Sequence, residues 1–296
     1  MTIQHLLIRI ATNAAITMAD KKDALECFFL TRHNPDGGFR GKSSQSDLYY
    51  TNFAVLALLA MEIPFDHDKT IRFLDSFKDS SELDLSHLAV LARLSNILKP
   101  DFHTGPLCMQ LIEQLYKFKT SDGGYNHQAN QSTGSAYGCF LALGAYEDLR
   151  QPLLNIEHQM VSFLSTLSRP DGGYLNEAAI PVASVPSTSA SLVALHLLGQ
   201  KNFFRSIEWM LSNIDKSGGF RVIQLAPVPD LLSTAVGLFA LRVIGADLSL
   251  VRDQCRAFVE SLWDDEKGFC PNPYDRWSDC EYTFYGLLAL GALADG

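Results

Sequence analysis

Two copies of one short phrase carry the residues best suited to chemistry. Ser46-Asp47-Leu48-Tyr49-Tyr50-Thr51 lies near one end of the chain, and Ser278-Asp279-Cys280-Glu281-Tyr282-Thr283 near the other. Each sets a carboxylate three residues before a tyrosine. Each also follows a loop with basic residues, Arg40 and Lys42 in the first and Arg276 in the second. Guanidinium and ammonium groups gathered in this way neutralise an anion such as a diphosphate. Tyr50 and Tyr282 supply hydroxyl donors for a phosphate or carbonyl oxygen. Asp47 and Asp279 are suited to act on an acceptor or to bind a divalent metal, and Tyr49 and Glu281 complete the set as substrate contacts. Both aspartates also stand where a helix N-cap belongs, a role that contributes about 1 kcal/mol.

The elements that position these groups recur along the chain. Gly37-Gly38-Phe39, Gly123-Gly124-Tyr125, Gly172-Gly173-Tyr174, Gly218-Gly219-Phe220 and a degenerate Lys267-Gly268-Phe269 place their second glycines 86, 49, 46 and 49 residues apart. The first gap is close to two periods. Self-similarity at about 45 residues marks one supersecondary unit per repeat, and such units bury their apolar faces only by stacking or closing into a ring.

After each loop comes an apolar segment of helical length: Leu48–Met61, Leu85–Leu98, Ser135–Ala145, Ser187–Leu198, Leu231–Ile244 and Cys280–Leu293. These are apolar nearly all round, which predicts burial on both sides. The second copy lacks the glycines and keeps only Ser81–Ser86 as a shortened loop. Before each loop lies a two-faced helix, as in Ile71, Phe73, Leu74 and Phe77, or Phe258, Leu262 and Trp263. The glycines fit sharp turns at the ends of these helices. The predicted fold is all-α, one domain over 1–296: an α6/α6 barrel of six helix-pair repeats from about Lys21, with an additional N-terminal helix within 1–18 covering one end. All six inner helices then start at one rim, where their N-termini favour an anion.

With 296 residues and 47% of them hydrophobic, the chain can fill one large core, and its net charge of −9 speaks against nucleic acid. The six cysteines show no C-x-x-C spacing. No apolar run reaches the roughly 18 residues of a membrane span, and nothing resembles a signal peptide, so a soluble cytoplasmic protein is expected.

Other residues call for partners or roles. Arg93 falls in an apolar inner helix and needs a counter-charge, for which a rim or lumen carboxylate such as Asp84 or Glu82 is the candidate. His87, opening the second inner helix, and His127, in the third loop, are open to function, whereas His196 reads as structural. Asp66-His67-Asp68 reads as a cap. The inner-helix aromatics Tyr49, Phe53, Tyr137, Phe140, Phe239, Phe284 and Tyr285 would line a pocket and present π faces to a developing cation.

The repeat resembles the prenyltransferase β-subunit and terpene cyclase superfamily over nearly the whole chain from Lys21. Gly37-Gly38-Phe39-Arg40-Gly41-Lys42 with Asp47-Leu48-Tyr49-Tyr50 resembles the protein prenyltransferase motif GGFxGR…DxCYSFW. Asp279-Cys280-Glu281-Tyr282-Thr283 is similar to the terminal D-x-YHT segment. The resemblance implies zinc at the Asp and Cys of the first motif and the His of the second, and a diphosphate on the basic loop residues. Here Tyr49 replaces the cysteine, Gln45 the second basic residue and Tyr282 the histidine, so a family-type zinc site is not expected. A divalent metal on Asp47, Asp279, Cys280 and Glu281 is the alternative. The cyclase D-x-D-D has only its first acid here, Asp230, and the Q-x-x-x-G-x-W form is missing.

The resemblance implies a divergent prenyltransferase-like protein that acts on or binds an isoprenoid or prenyl diphosphate in the barrel lumen. A helical protein partner is also implied, since the family's β-subunits pair with a helical α-subunit. Two other readings stay open: a non-catalytic scaffold for a lipid or partner, and a terpenoid cyclase with an unrecognised acid.

Overall fold

The computed structural model describes residues 1–78 and 83–294. Within them, α1 (Ile3–Thr12) is followed by six helix pairs. The pairs are α2 (Lys22–Leu30) with α3 (Leu48–Ala60), α4 (His67–Asp75) with α5 (Leu85–Leu98), and α6 (Pro106–Leu115) with α7 (Ala136–Asp148). They continue as α8 (Ile156–Thr166) with α9 (Val185–Leu197), α10 (Phe204–Ser212) with α11 (Leu231–Val243), and α12 (Arg252–Ser261) with α13 (Cys280–Ala292). Two short hairpins, β1 (Phe39–Arg40) with β2 (Ser46–Asp47) and β3 (Trp263–Asp264) with β4 (Gly268–Phe269), sit in the first and last loops.

The second member of each pair is an inner helix. Each packs on the next, α3 on α5 and so on to α13, and α13 packs back on α3, so the ring is closed. These helices begin within two residues of their predicted starts because a side chain caps each one. Asp47, Asp84, Ser135, Ser184, Asp230 and Asp279 all accept an amide of the first turn. The shortened loop expected at Ser81–Ser86 lies partly outside the described residues.

A recurring main-chain bond sets the order of the ring. The first amide of an inner helix donates to a carbonyl in the next loop: Leu85 to His127 (3.1 Å), Ala136 to Asn176 (2.8 Å), Val185 to Val222 (2.9 Å) and Leu231 to Pro271 (2.8 Å). At the seam, the Cys280 thiol reaches the Arg40 carbonyl at 3.5 Å. The last repeat therefore docks on the first loop.

The glycine doublets serve the packing between repeats. Gly37 has φ +96°, but it lies beyond the end of α2 rather than capping it, and a Cβ there would collide with the Lys69 carbonyl of α4. The second glycine lies under an aromatic ring of the following outer helix: a Cβ on Gly38 would come within 2.8 Å of Phe73, and one on Gly124 within 2.7 Å of Phe163. The aromatic that follows is buried, and its amide is often clamped by an inner-helix threonine. Thr51, Thr188 and Thr234 accept from Phe39, Tyr174 and Phe220, each at 2.9 Å. In the repeated phrase, Asp47 and Asp279 both cap their helices and Thr51 clamps Phe39, whereas the Thr283 hydroxyl is buried with no hydrogen-bond partner among the described residues.

α1 closes the end opposite the loops. Its buried face of Ile3, Leu6, Leu7, Ile10 and Ala11 crosses the C-termini of α3, α7 and α13. Glycine makes room for it: Gly291 lies against the Ile10 carbonyl and Gly144 against Ile3. The Glu147 carboxylate accepts the Ile3 amide at 2.7 Å. Arg93 does not pair with Asp84. Its Nε meets Asp148 at 3.3 Å, with both side chains buried near this closed end, and Glu82 lies outside the described residues.

Candidate active site at the barrel mouth

The inner helices enclose a cavity of about 370 Å³ that opens toward the loop rim. All seven aromatics expected there line it, and Leu7 of α1 forms its floor. Tyr49 and Phe53 stand one turn apart on α3, with their rings 4.9 Å apart, and Phe53 meets Tyr285 at 5.4 Å. Tyr137 keeps 42% of its surface open, toward this lumen.

One carboxylate dominates the mouth. Glu281, on the first turn of α13, accepts the Tyr49 hydroxyl at 2.6 Å and is also hydrogen-bonded to Tyr285. Burial raises its carboxyl from the ordinary 4.5 to about 7, against the Tyr49 bond, with Asp279 adding to the rise and Lys42 opposing it. A group with this pKa is available both protonated and ionised near neutral pH. Tyr49 itself is pushed far up by burial.

The two expected aspartates are helix caps. Asp47 Oδ1 accepts from the Tyr49 and Tyr50 amides at 2.8 and 3.2 Å. Asp279 Oδ1 accepts from the Tyr282 amide at 3.1 Å. Its other oxygen is buried with no hydrogen-bond partner among the described residues, and burial raises its carboxyl. Tyr50 packs its ring under Gly41, and Tyr282 is half-buried near Asp279 and Asp230. Burial raises both phenols to about 12. The lumen is lined by Tyr49 and Tyr285 and not by Tyr50 and Tyr282. The reason is helical rotation of about 100° per residue, which carries each expected tyrosine off the inward face.

Arg40, Lys42 and Arg276 do come together, in a cleft beside the mouth that Arg32 and Lys267 also line. Arg32 and Arg40 donate to the carbonyls of Phe28 (3.0 Å) and Thr31 (3.2 Å). Lys42 lines this cleft, and its charge biases the Asp279 and Glu281 carboxyls toward ionisation. Among the described residues, Arg32, Arg40, Lys42 and Arg276 form no ion pair within 4 Å. Concentrated positive charge stands out in a chain of net charge −9. Arg32 and Lys267 were legible only as further basic residues next to those two loops.

The donor set does not suit zinc. At the three positions the resemblance assigns to it stand Asp47, whose bonded oxygen serves two amides, Tyr49, whose hydroxyl serves Glu281, and Tyr282. None offers thiolate or imidazole. The Cys280 thiol faces Arg40 and is raised to about 12 by burial. Among the described residues no group of three or more His, Cys, Asp or Glu side chains is placed to hold a metal ion. Asp230 caps α11 and Asp66 caps α4.

The model of the prenyltransferase alpha-alpha toroid domain matches residues 5–89, 86–181 and 187–295. The chain belongs to this family. The toroid superposes on the Candida albicans protein geranylgeranyltransferase-I complexed with GGPP, with TM-score 0.62, 16% identity and 83% of each chain covered. It also superposes on the Scytonema type II terpene cyclase MstE in complex with geranylgeranyl dihydroxybenzoate, with TM-score 0.65, 14% identity, 95% of this chain and 97% of the cyclase. A Salegentibacter α-1,6-mannanase in complex with α-1,6-mannotriose gives TM-score 0.64 at 13% identity, over 97% of this chain and 99% of that one. No curated protein matches the sequence. One toroid thus carries transferase, cyclase and glycosidase chemistry, and the site must decide among them. No helix among the described residues is long and apolar enough to cross a membrane.

Proposed function

We propose that this toroid is a divergent prenyltransferase-like protein that holds an isoprenoid chain in its lumen, with the diphosphate in the cleft of Arg40, Lys42 and Arg276. The observation that carries the reading is an aromatic-lined cavity of about 370 Å³ beside a cationic cleft, whose Lys42 acts electrostatically on Glu281 at the mouth. Pockets of roughly 300–1,000 Å³ with apolar walls and a few polar groups are the usual form of a small-molecule site. Guanidinium groups would clamp the leaving diphosphate, while Tyr49, Phe53 and Tyr285 would face an allylic cation. Glu281 would take the proton of an incoming nucleophile. No step is assigned to zinc.

Calorimetry with farnesyl and geranylgeranyl diphosphate against the corresponding alcohols tests this, with and without chelator. Tight binding that requires the diphosphate supports the reading. Equal binding of alcohol and diphosphate would leave a lipid pocket without phosphate chemistry.

The place of Glu281 at the mouth, bonded to the lumen-lining Tyr49, favours a second reading. A neutral carboxyl over an aromatic lumen is a proton donor, which suits proton-initiated cyclisation of the bound chain. Cyclic products from geranylgeranyl diphosphate, lost in Glu281→Gln, would select this reading over transfer.

A further inference from the structure

A second constellation lies in the wall of the lumen, away from the cationic cleft. Ser86 Oγ stands 3.3 Å from His127 Nδ1, and His127 Nε2 stands 3.3 Å from Asp84 Oδ2. Asp84 caps α5, Ser86 belongs to its first turn, and His127 lies in the glycine loop before α7. The Leu85 amide donates to the His127 carbonyl at 3.1 Å, which fixes the register between the two.

Asp84 is held in place from its other side. Its Oδ1 accepts both the His87 amide and His87 Nδ1 at 2.9 Å. Partial burial opposes its ionisation, but the His87 bonds and the two imidazoles outweigh that and hold the carboxyl below its ordinary value. An ionised Asp84 keeps the proton of His127 on Nε2, so Nδ1 is left as an acceptor toward Ser86.

The chain of groups crosses the barrel wall. Ser86 is 9% exposed and lines the central cavity, whereas the His127 side chain is 44% exposed. The Ser86 amide lies in the first turn of a 14-residue helix, whose dipole adds positive potential there. The Tyr137 side chain lies beside Ser86 on the lumen side.

We propose that Ser86 is a nucleophile, with His127 as its base and Asp84 as the positioning carboxylate, acting on a carboxylic ester whose apolar acyl chain lies in the lumen. Ser86 Oγ attacks the carbonyl carbon as its proton passes to His127 Nδ1. The Ser86 amide and Tyr137 hydroxyl stabilise the oxyanion. Collapse breaks the bond to the alcohol oxygen, which takes the proton back from His127 and leaves. Water then attacks the acyl-serine, giving its proton to His127, and collapse returns that proton to Ser86 and releases the carboxylic acid. This inference shares the lumen with the prenyl reading but does not depend on it.

The intact protein is treated with a fluorophosphonate and, separately, with p-nitrophenyl esters from acetate to dodecanoate. One adduct per chain on Ser86, mapped by peptide mass spectrometry of the wild type, is expected, with hydrolysis favouring longer acyl chains. Ser86→Ala and His127→Ala, checked for fold by circular dichroism, should lower ester hydrolysis on the order of 10²–10⁴-fold. No adduct on the folded wild type, or an adduct that maps elsewhere, overturns the proposal, and neither result bears on diphosphate binding.

Discussion

The Tyr49 hydroxyl donates to Glu281 at 2.6 Å, joining the first inner helix to the last across 232 residues. The bond favours the ionised carboxylate, so its removal raises the Glu281 pKa. In Tyr49→Phe the carboxyl should titrate above its value of about 7. Carboxyl carbon NMR of both proteins measures this, and a Glu281 titrating near 4.5 in the wild type would refute the assignment.

The same carboxyl ties stability to pH. Its folded pKa of about 7 exceeds the ordinary 4.5, so its contribution is full below about pH 4.5 and is lost as pH rises through about 7. Glu147, raised by burial to about 7 at the closed end, acts in the same direction. Glu281→Gln should flatten the decline in denaturation midpoint between pH 5 and pH 8. An unchanged slope would mean that Glu281 is not buried as described.

Charge removal in the cleft should act on the head group alone. Lys42→Ala and Arg276→Ala should each weaken prenyl diphosphate binding by about 10- to 100-fold, the scale of a charge-assisted hydrogen bond. Prenyl alcohol binding should not change. Titration calorimetry on the three proteins decides it, and equal losses for both ligands would point to a collapsed lumen.

Asp148→Asn leaves the Arg93 guanidinium buried without a counter-charge, since Arg93 is 6% and Asp148 1% exposed. Breaking such a pair costs about 3–5 kcal/mol. Urea denaturation should show this loss, and Arg93→Met combined with Asp148→Asn should recover much of it.

Gly38→Ala should also destabilise, by about 1–3 kcal/mol, the usual cost of overpacking. The added methyl would meet both the Phe73 ring and the Ser46 side chain. A melting temperature equal to that of the wild type would show that α4 yields at no cost.

The repeat was legible because its signals are local. Asp47, Asp230 and Asp279 announce helix starts, and the alanine-leucine runs behind them have nowhere to go but a shared core. The end of α7 was less legible. The helix continues to Asp148 because Glu147 and Asp148 find partners in Ile3 and Arg93, 144 and 55 residues away. Arg93 was recognisable as needing a partner, but its partner is Asp148 of the neighbouring inner helix rather than an acid of its own repeat.

Spacing and side-chain type set the helices, their caps, the glycine loops and the apolar lumen, since each depends on contacts within one repeat or between similar repeats. Ring closure and helix rotation decided the chemistry of the mouth. Closure puts the loop of Arg40 and Lys42 against that of Arg276 and gives Glu281 its bond to Tyr49. Rotation of about 100° per residue turns Tyr49 and Tyr285 into the lumen while Tyr50 and Tyr282 face away from it. Neighbouring tyrosines look alike along the chain, and only the packing of whole helices determines which of them faces inward.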